Sequence, residues 1–140
     1  MFQKTKLLFL CTGNSCRSQM AEGFAKALRP HDLSAHSAGL ETHGLNPYAV
    51  RVMAEAGVDI SSQHSKLLAE VLDIPFDLVV TVCDHAHETC PVFPSHTRVL
   101  HHSFPDPPQL AQGAKTEEEI LDAFRQVRDQ IRAFVLELKP

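Results

Sequence analysis

The stretch Leu7-Leu8-Phe9-Leu10-Cys11-Thr12-Gly13-Asn14-Ser15-Cys16-Arg17-Ser18 passes from an unbroken apolar run, through a loop of small residues, into a helical pattern. Lys6 to Leu10 has the length and continuous hydrophobicity of a short strand covered on both faces. From Cys16 to Leu28, the residues Met20, Ala21, Phe24, Ala27 and Leu28 share one helical face, and Arg29-Pro30 stops the helix. A strand, a tight loop and a helix in succession form the first half of a parallel crossover unit.

The same alternation continues outward. Leu33 to Ala38 reads as a weaker strand closed by Gly39. Asn46 caps a second helix, Pro47 suits its first position, and Gly57 falls just past its end. Ser65 to Leu72 is expected to form a short helix that Pro75 terminates. Phe76 to Cys83 is β-branched and almost wholly apolar, as a central strand would be, and Thr97 to His101 is a shorter strand. A final helix opens with Thr116-Glu117-Glu118-Glu119, a capping box, and carries Ile120, Phe124, Val127, Ile131, Phe134 and Leu138 at helical spacing. The expected fold is α/β: residues 1–140 as one domain, a four-stranded parallel sheet flanked by helices on both faces.

Composition narrows the function. A length of 140 residues is enough for one core without a disulfide or metal staple. The formal charge of −4 and the scattered 13 Lys and Arg leave no basic face for nucleic acid. Leu7 to Cys11 is too short for a signal-peptide core or a bilayer span, so the expected location is the cytoplasm, with no membrane partner. Thiols stay reduced there, which makes the four cysteines core residues, metal ligands or catalytic groups.

In parallel sheets the functional crevice lies beyond the carboxyl ends of the strands. That rule gathers Cys11, Cys83 and the segment around Asp106. The loop Cys11, Thr12, Gly13, Asn14, Ser15, Cys16, Arg17 and Ser18 turns its amides inward at a helix N-terminus, a cradle for a tetrahedral oxyanion. Gly13 and Asn14 tolerate unusual backbone angles, and Arg17 adds a bidentate fork. Cys11 is placed as nucleophile, and the helix end and Arg17 are expected to lower its thiol from about 8.5 into the range of roughly 3.5–7.5. Cys16 lies inside the loop, either as a small buried side chain or as a group able to pair with Cys11 on oxidation. Three readings exist for Cys83 and Cys90: a redox pair, buried core thiols, or a zinc site with His85, His87, His101 or His102, although the spacing matches no standard zinc knuckle.

From Cys11 to Gly23 the chain resembles the active-site loop of the low-molecular-weight protein tyrosine phosphatases and of the arsenate reductases that share their fold. Cys-Thr-Gly-Asn-Ser-Cys-Arg-Ser-Gln-Met-Ala-Glu-Gly is closer to the reductases, as are Ala38-Gly39, His43-Gly44-Leu45-Asn46-Pro47 and Asp59-Ile60-Ser61. The resemblance implies that Cys11 attacks arsenate with Asp106 as general acid. Cys83 then attacks Cys11 to give Cys11–Cys83, and Cys90 attacks Cys83 to give Cys83–Cys90, which thioredoxin reduces. It implies no cofactor, a monomer, arsenic detoxification as the role, and a weak phosphatase side activity. Some related reductases hold potassium with residues matching Asn14, Glu22 and Ser37 plus an acidic group; Lys66 stands at that last position, and its ammonium could replace the ion. The phosphatases carry aromatic residues after the Asp-Pro, whereas Pro108, Gln109 and Leu110 follow here. A phosphatase with incidental cysteines, and a non-catalytic arsenic sensor, are the competing readings.

Overall fold

The computed structural model describes residues 3–140. Its strands are β1 (Thr5–Cys11), β2 (Leu33–Gly39), β3 (Leu78–Thr81) and β4 (Arg98–His101). Its helices are α1 (Arg17–Leu28), α2 (Pro47–Glu55), α3 (Asp84–Glu88), α4 (Pro107–Leu110) and α5 (Glu117–Glu137). The strands form one sheet in the order β2-β1-β3-β4, every pair parallel. Consecutive strand residues point to opposite faces, and Leu7, Leu8, Phe9 and Leu10 are all fully buried, so both faces are covered. The expected four-stranded α/β arrangement is the observed one.

The helices start where their local chemistry directs. Asn46 Oδ1 accepts the amides of Tyr48 and Ala49, and Gly57 follows α2 at φ +83°. Thr116 Oγ1 accepts the Glu119 amide, but the Glu119 carboxylate accepts from the Lys115 amide instead of the Thr116 amide, one residue beyond a regular capping box. Helix α5 buries Leu121, Phe124, Val127, Ile131 and Val135 and packs along α1, α2 and α4.

Three expectations are corrected. Ser65 to Leu72 holds only a 3-10 turn at Leu68–Glu70, because Lys66 O accepts the Gly39 amide and Leu67 bridges to Gly39. These contacts pull the segment's start into an extended path beside β2. The β3 ladder is shorter than Phe76 to Cys83, since Phe76 is drawn into a turn by its amide bond to Ile74 O. Cys83 leaves the strand to cap α3, a helix the sequence reading did not contain, with its sulfur accepting the Ala86 amide at 3.4 Å.

Register places the strand ends level. Leu10 lies opposite both Ala38 and Thr81, and Thr81 lies opposite His101. Cys11, Cys83 and the loop after β4 therefore reach the same edge of the sheet.

Candidate active site

The loop from Thr12 to Cys16 curls around Cys11 Sγ. The sulfur receives the Asn14 amide at 3.2 Å and lies 2.8 Å from Ser18 Oγ. Asn14 holds the curl: it is fully buried, sits at φ +48°, and donates through Nδ2 to Ser18 Oγ (2.8 Å) and Ser37 Oγ (3.0 Å). Its Oδ1 accepts from Gln19 Nε2 at 3.0 Å and the Lys66 amide at 2.9 Å. Since Asn14 occupies an acceptor site of Ser18 Oγ, the Ser18 proton is free to point at sulfur. Two donors then converge on Cys11.

Gly13 serves this loop differently from the expectation. It does not adopt positive φ; its missing side chain makes room for the His43 ring, which a Cβ would meet at 2.3 Å. His43 in turn lies 2.7 Å from Glu41 Oε2 and lines the cavity over Cys11.

Behind the loop, Ser37 Oγ donates to the buried Glu22 Oε1 at 2.6 Å. Burial alone would raise the Glu22 carboxyl, but the Lys26 ammonium, the Ser37 hydroxyl and the Lys66 ammonium outweigh it and hold the group below its ordinary value. Lys66 Nζ stands 3.5 Å from Glu22 Oε1. With two ammonium groups on this carboxylate, and Asn14 Oδ1 already accepting two protons, the residues do not fit a potassium ion.

The Cys11 expectation is corrected in direction. Burial pushes its thiol above the ordinary value, and the bonds from Ser18 and the Asn14 amide only partly oppose this. Cys16, the residue just before α1, is also buried, and burial pushes its thiol up to about 12. It behaves as a small packed side chain.

Two adjoining cavities open over the loop. One, of about 380 Å³, is lined by Cys11, Ser15, Cys16 and His43. The other, of about 500 Å³, is lined by Cys83, His85, Ser103 and Phe104. Thr12, Arg17 and Asp106 line both. Arg17 Nη1 donates to Phe104 O at 3.1 Å and Nη2 lies 3.8 Å from Asp106 Oδ1, so the guanidinium ties the loop after β4 to the cradle. The Asp106 side chain leaves α4 uncapped and faces the cavities.

Cys83 Sγ lies 3.3 Å from Thr12 Oγ1, which puts a second thiol against the residue that follows Cys11. Cys90 lines neither cavity; it is half-buried against the core, and burial raises its thiol too. All four cysteines are free thiols. Among the described residues no three His, Cys, Asp or Glu side chains assemble as a metal cluster, so the zinc reading of Cys83 and Cys90 has no geometry behind it.

Sequence reasoning missed Gln19, whose amide binds Asn14 and His64 O, and Ser65, which donates to Gly13 O. Gln19 lies within the Cys11–Gly23 stretch, but its bond to His64 O and the bond of Ser65 to Gly13 join distant segments. His101, offered by the sequence as a zinc ligand beside Cys83, is instead engaged by other groups: Nδ1 lies 2.8 Å from the buried Thr81 Oγ1, and Nε2 lies 3.0 Å from Asp84 Oδ1.

Residues 6–139 match the model of the low molecular weight phosphotyrosine protein phosphatase family. The chain is 50% identical over 125 residues to the arsenate reductase of Bacillus subtilis, covering 89% of this chain and 88% of that one. It is 48% identical over 128 residues to the arsenate reductase of Halalkalibacterium halodurans, covering 91% and 90%. It also superposes on a solved arsenate reductase in its phosphate-binding state, with a TM-score of 0.74, 33% identity and 94% of each chain covered. No helix of the described residues is long and apolar enough to cross a membrane.

Proposed function

We propose that this chain, which belongs to the low-molecular-weight phosphotyrosine protein phosphatase family, reduces arsenate to arsenite with three of its own thiols and takes its electrons from thioredoxin. The observation that carries the reading is Cys83 Sγ against Thr12 Oγ1, a second thiol beside the nucleophile's loop. A phosphatase needs one thiol there; a two-electron reduction needs a partner for it.

Arsenate enters the cradle as a dianion and meets loop amides, the α1 N-terminus and Arg17. A Cys11 thiol raised by burial is protonated near neutrality, and the dianion is the base that removes the proton. The Cys11 thiolate, held by the Asn14 amide and the Ser18 hydroxyl, then forms a sulfur–arsenic bond. The departing oxygen takes a proton from Asp106 and leaves as water. Cys83 attacks Cys11 Sγ, the sulfur–arsenic bond breaks with its electron pair staying on arsenic, and arsenite leaves behind the Cys11–Cys83 disulfide. Cys90 attacks Cys83 Sγ and frees Cys11, and the dithiol of thioredoxin reduces Cys83–Cys90. Both electrons come from the thiols themselves, and residues 1–140 act as one domain.

The cradle also suits phosphate esters, so a weak phosphatase activity accompanies the main one. No aromatic residue immediately follows Asp106-Pro107 to stack on a phosphotyrosine ring, and the chain's one Tyr, Tyr48, packs on Phe124 at a ring separation of 5.5 Å. The test is NADPH oxidation with thioredoxin and thioredoxin reductase, with and without arsenate, for the native protein and Cys83→Ser. Arsenate-dependent oxidation that Cys83→Ser abolishes supports the reading. No oxidation with active coupling proteins, or full activity in Cys83→Ser, overturns it.

A further inference from the structure

We propose that His101 pins helix α3 in its reduced form and thereby sets the redox potential of the Cys83–Cys90 pair; this rests on the thiol cascade above. The imidazole reaches in three directions. Nδ1 lies 2.8 Å from Thr81 Oγ1 on β3, Nε2 lies 3.0 Å from Asp84 Oδ1, and the ring stacks on His87 at 4.2 Å with an interplanar angle of 24°. One neutral tautomer satisfies both hydrogen bonds, with Nε2–H donating to the carboxylate and Thr81 O–H donating to Nδ1.

Asp84 and His87 are three residues apart and share a face only while α3 is helical. Unwound, the two move apart and a single imidazole no longer reaches both. The pin therefore favours the helix over its extended alternatives. It matters because α3 has five residues, too few to be stable by itself.

Disulfide formation makes the opposite demand. Cys83 caps the start of α3 and Cys90 lies beyond its far end. At about 1.5 Å per residue the helix holds Cys83 and Thr89 roughly 9 Å apart. A disulfide tolerates Cα separations of only about 4.4–6.8 Å, so the bridge requires α3 to open. In turnover the Cys90 thiol attacks the Cys83 sulfur of the Cys11–Cys83 disulfide and Cys11 leaves as the thiol; in a titration the Cys83 and Cys90 thiols together pass two electrons and two protons to glutathione disulfide, which leaves as two glutathione thiols. Contacts made only in the dithiol form oppose that oxidation and keep the disulfide easy for an external dithiol to reduce.

The experiment equilibrates the full chain in glutathione buffers of graded reduced-to-oxidised ratio. The Cys83–Cys90 crosslinked fraction is then read by mass spectrometry after acid quench and alkylation. The variants are His101→Phe, which keeps a ring against His87, then Asp84→Ala, and the two combined. Each single substitution is expected to shift the equilibrium toward disulfide by about five- to tenfold, a tenfold shift being about 30 mV. The double variant should move no further than the larger single one, because both remove the same bond. An unmoved equilibrium, or additive shifts, overturns the pin. Asp84 is exposed, so Asp84→Ala decides the matter by itself should His101→Phe not fold. If the native chain forms no Cys83–Cys90 crosslink at any ratio, the cascade itself fails; a crosslink with unmoved variants defeats the pin alone.

Discussion

Replacing Asn14 by Ala and by Gly separates two things the residue does. Its side chain makes four hydrogen bonds, to Ser18, Ser37, Gln19 and the Lys66 amide, all shielded from water. At about 1 kcal/mol net for each bond, either substitution should cost roughly 4 kcal/mol. That is a large share of the 5–15 kcal/mol of a typical domain. The backbone adds a difference of opposite sign to the usual one. At φ +48° alanine meets a penalty of about 1–2 kcal/mol that glycine escapes, while glycine's extra unfolded-state freedom returns about 0.5–1 kcal/mol of that. Asn14→Gly should therefore be the more stable variant by up to about 1.5 kcal/mol. Urea titrations followed by circular dichroism read this as a higher midpoint at unchanged slope. Alanine matching or exceeding glycine would refute the backbone argument. A loss below about 1 kcal/mol in both would refute the picture of Asn14 as the loop's hub.

The remaining predictions concern titration. Alkylation of Cys11 by iodoacetamide should accelerate steadily as pH rises past the ordinary thiol range, because burial keeps the group protonated near neutrality. A rate already flat below pH 7 would restore the low value that the helix N-terminus suggested. Cys16, pushed up to about 12, should stay unlabelled throughout the same experiment, and peptide mass spectra would show any exception. Glu22 has a folded value below its unfolded one of about 4.3, so its contribution to stability is present above that value and is lost as pH falls through the lower one. Thermal melts of Glu22→Gln should accordingly show a shallower fall in Tm over that acid range than the native chain, and parallel curves would contradict it.

What the sequence made legible was local or topological. The oxyanion loop is eight consecutive residues, the Asn46 cap and the α5 stripe are short-range patterns, and strand–helix alternation carries the sheet with it. Cys11 and Cys83, 72 positions apart, could be paired because neighbouring parallel strands end at one edge. The missed features depend on distant partners. Lys66 takes part in an extended segment only because Gly39 is there to bond it, and Gly13 is small because of His43, thirty residues on. The Cys11 shift departs from the sequence expectation for a related reason. Helix end and Arg17 are visible in sequence, but the depth at which the fold buries the sulfur is not.

The three thiols of the proposed cascade occupy places of decreasing constraint. Cys11 sits at the end of a central strand, in a loop tied by Asn14 to four partners. Cys83 stands one step out, at the junction of β3 and α3, with contacts to Thr12 and to the Ala86 amide. Cys90 lies past a helix of five residues, half-buried and outside both cavities. A nucleophile must hold its geometry to within a fraction of an ångström to use an oxyanion cradle. A thiol that delivers a disulfide to another protein must instead move, since the bridge has to leave the crevice that made it. Rigid placement of all three would trap the oxidising equivalents at Cys11, and loose placement of all three would lose the cradle. Under the proposed cascade, the order in which the fold releases its grip is the order in which the disulfide travels, and α3, held by Cys83, Asp84 and His87, is where that release is set.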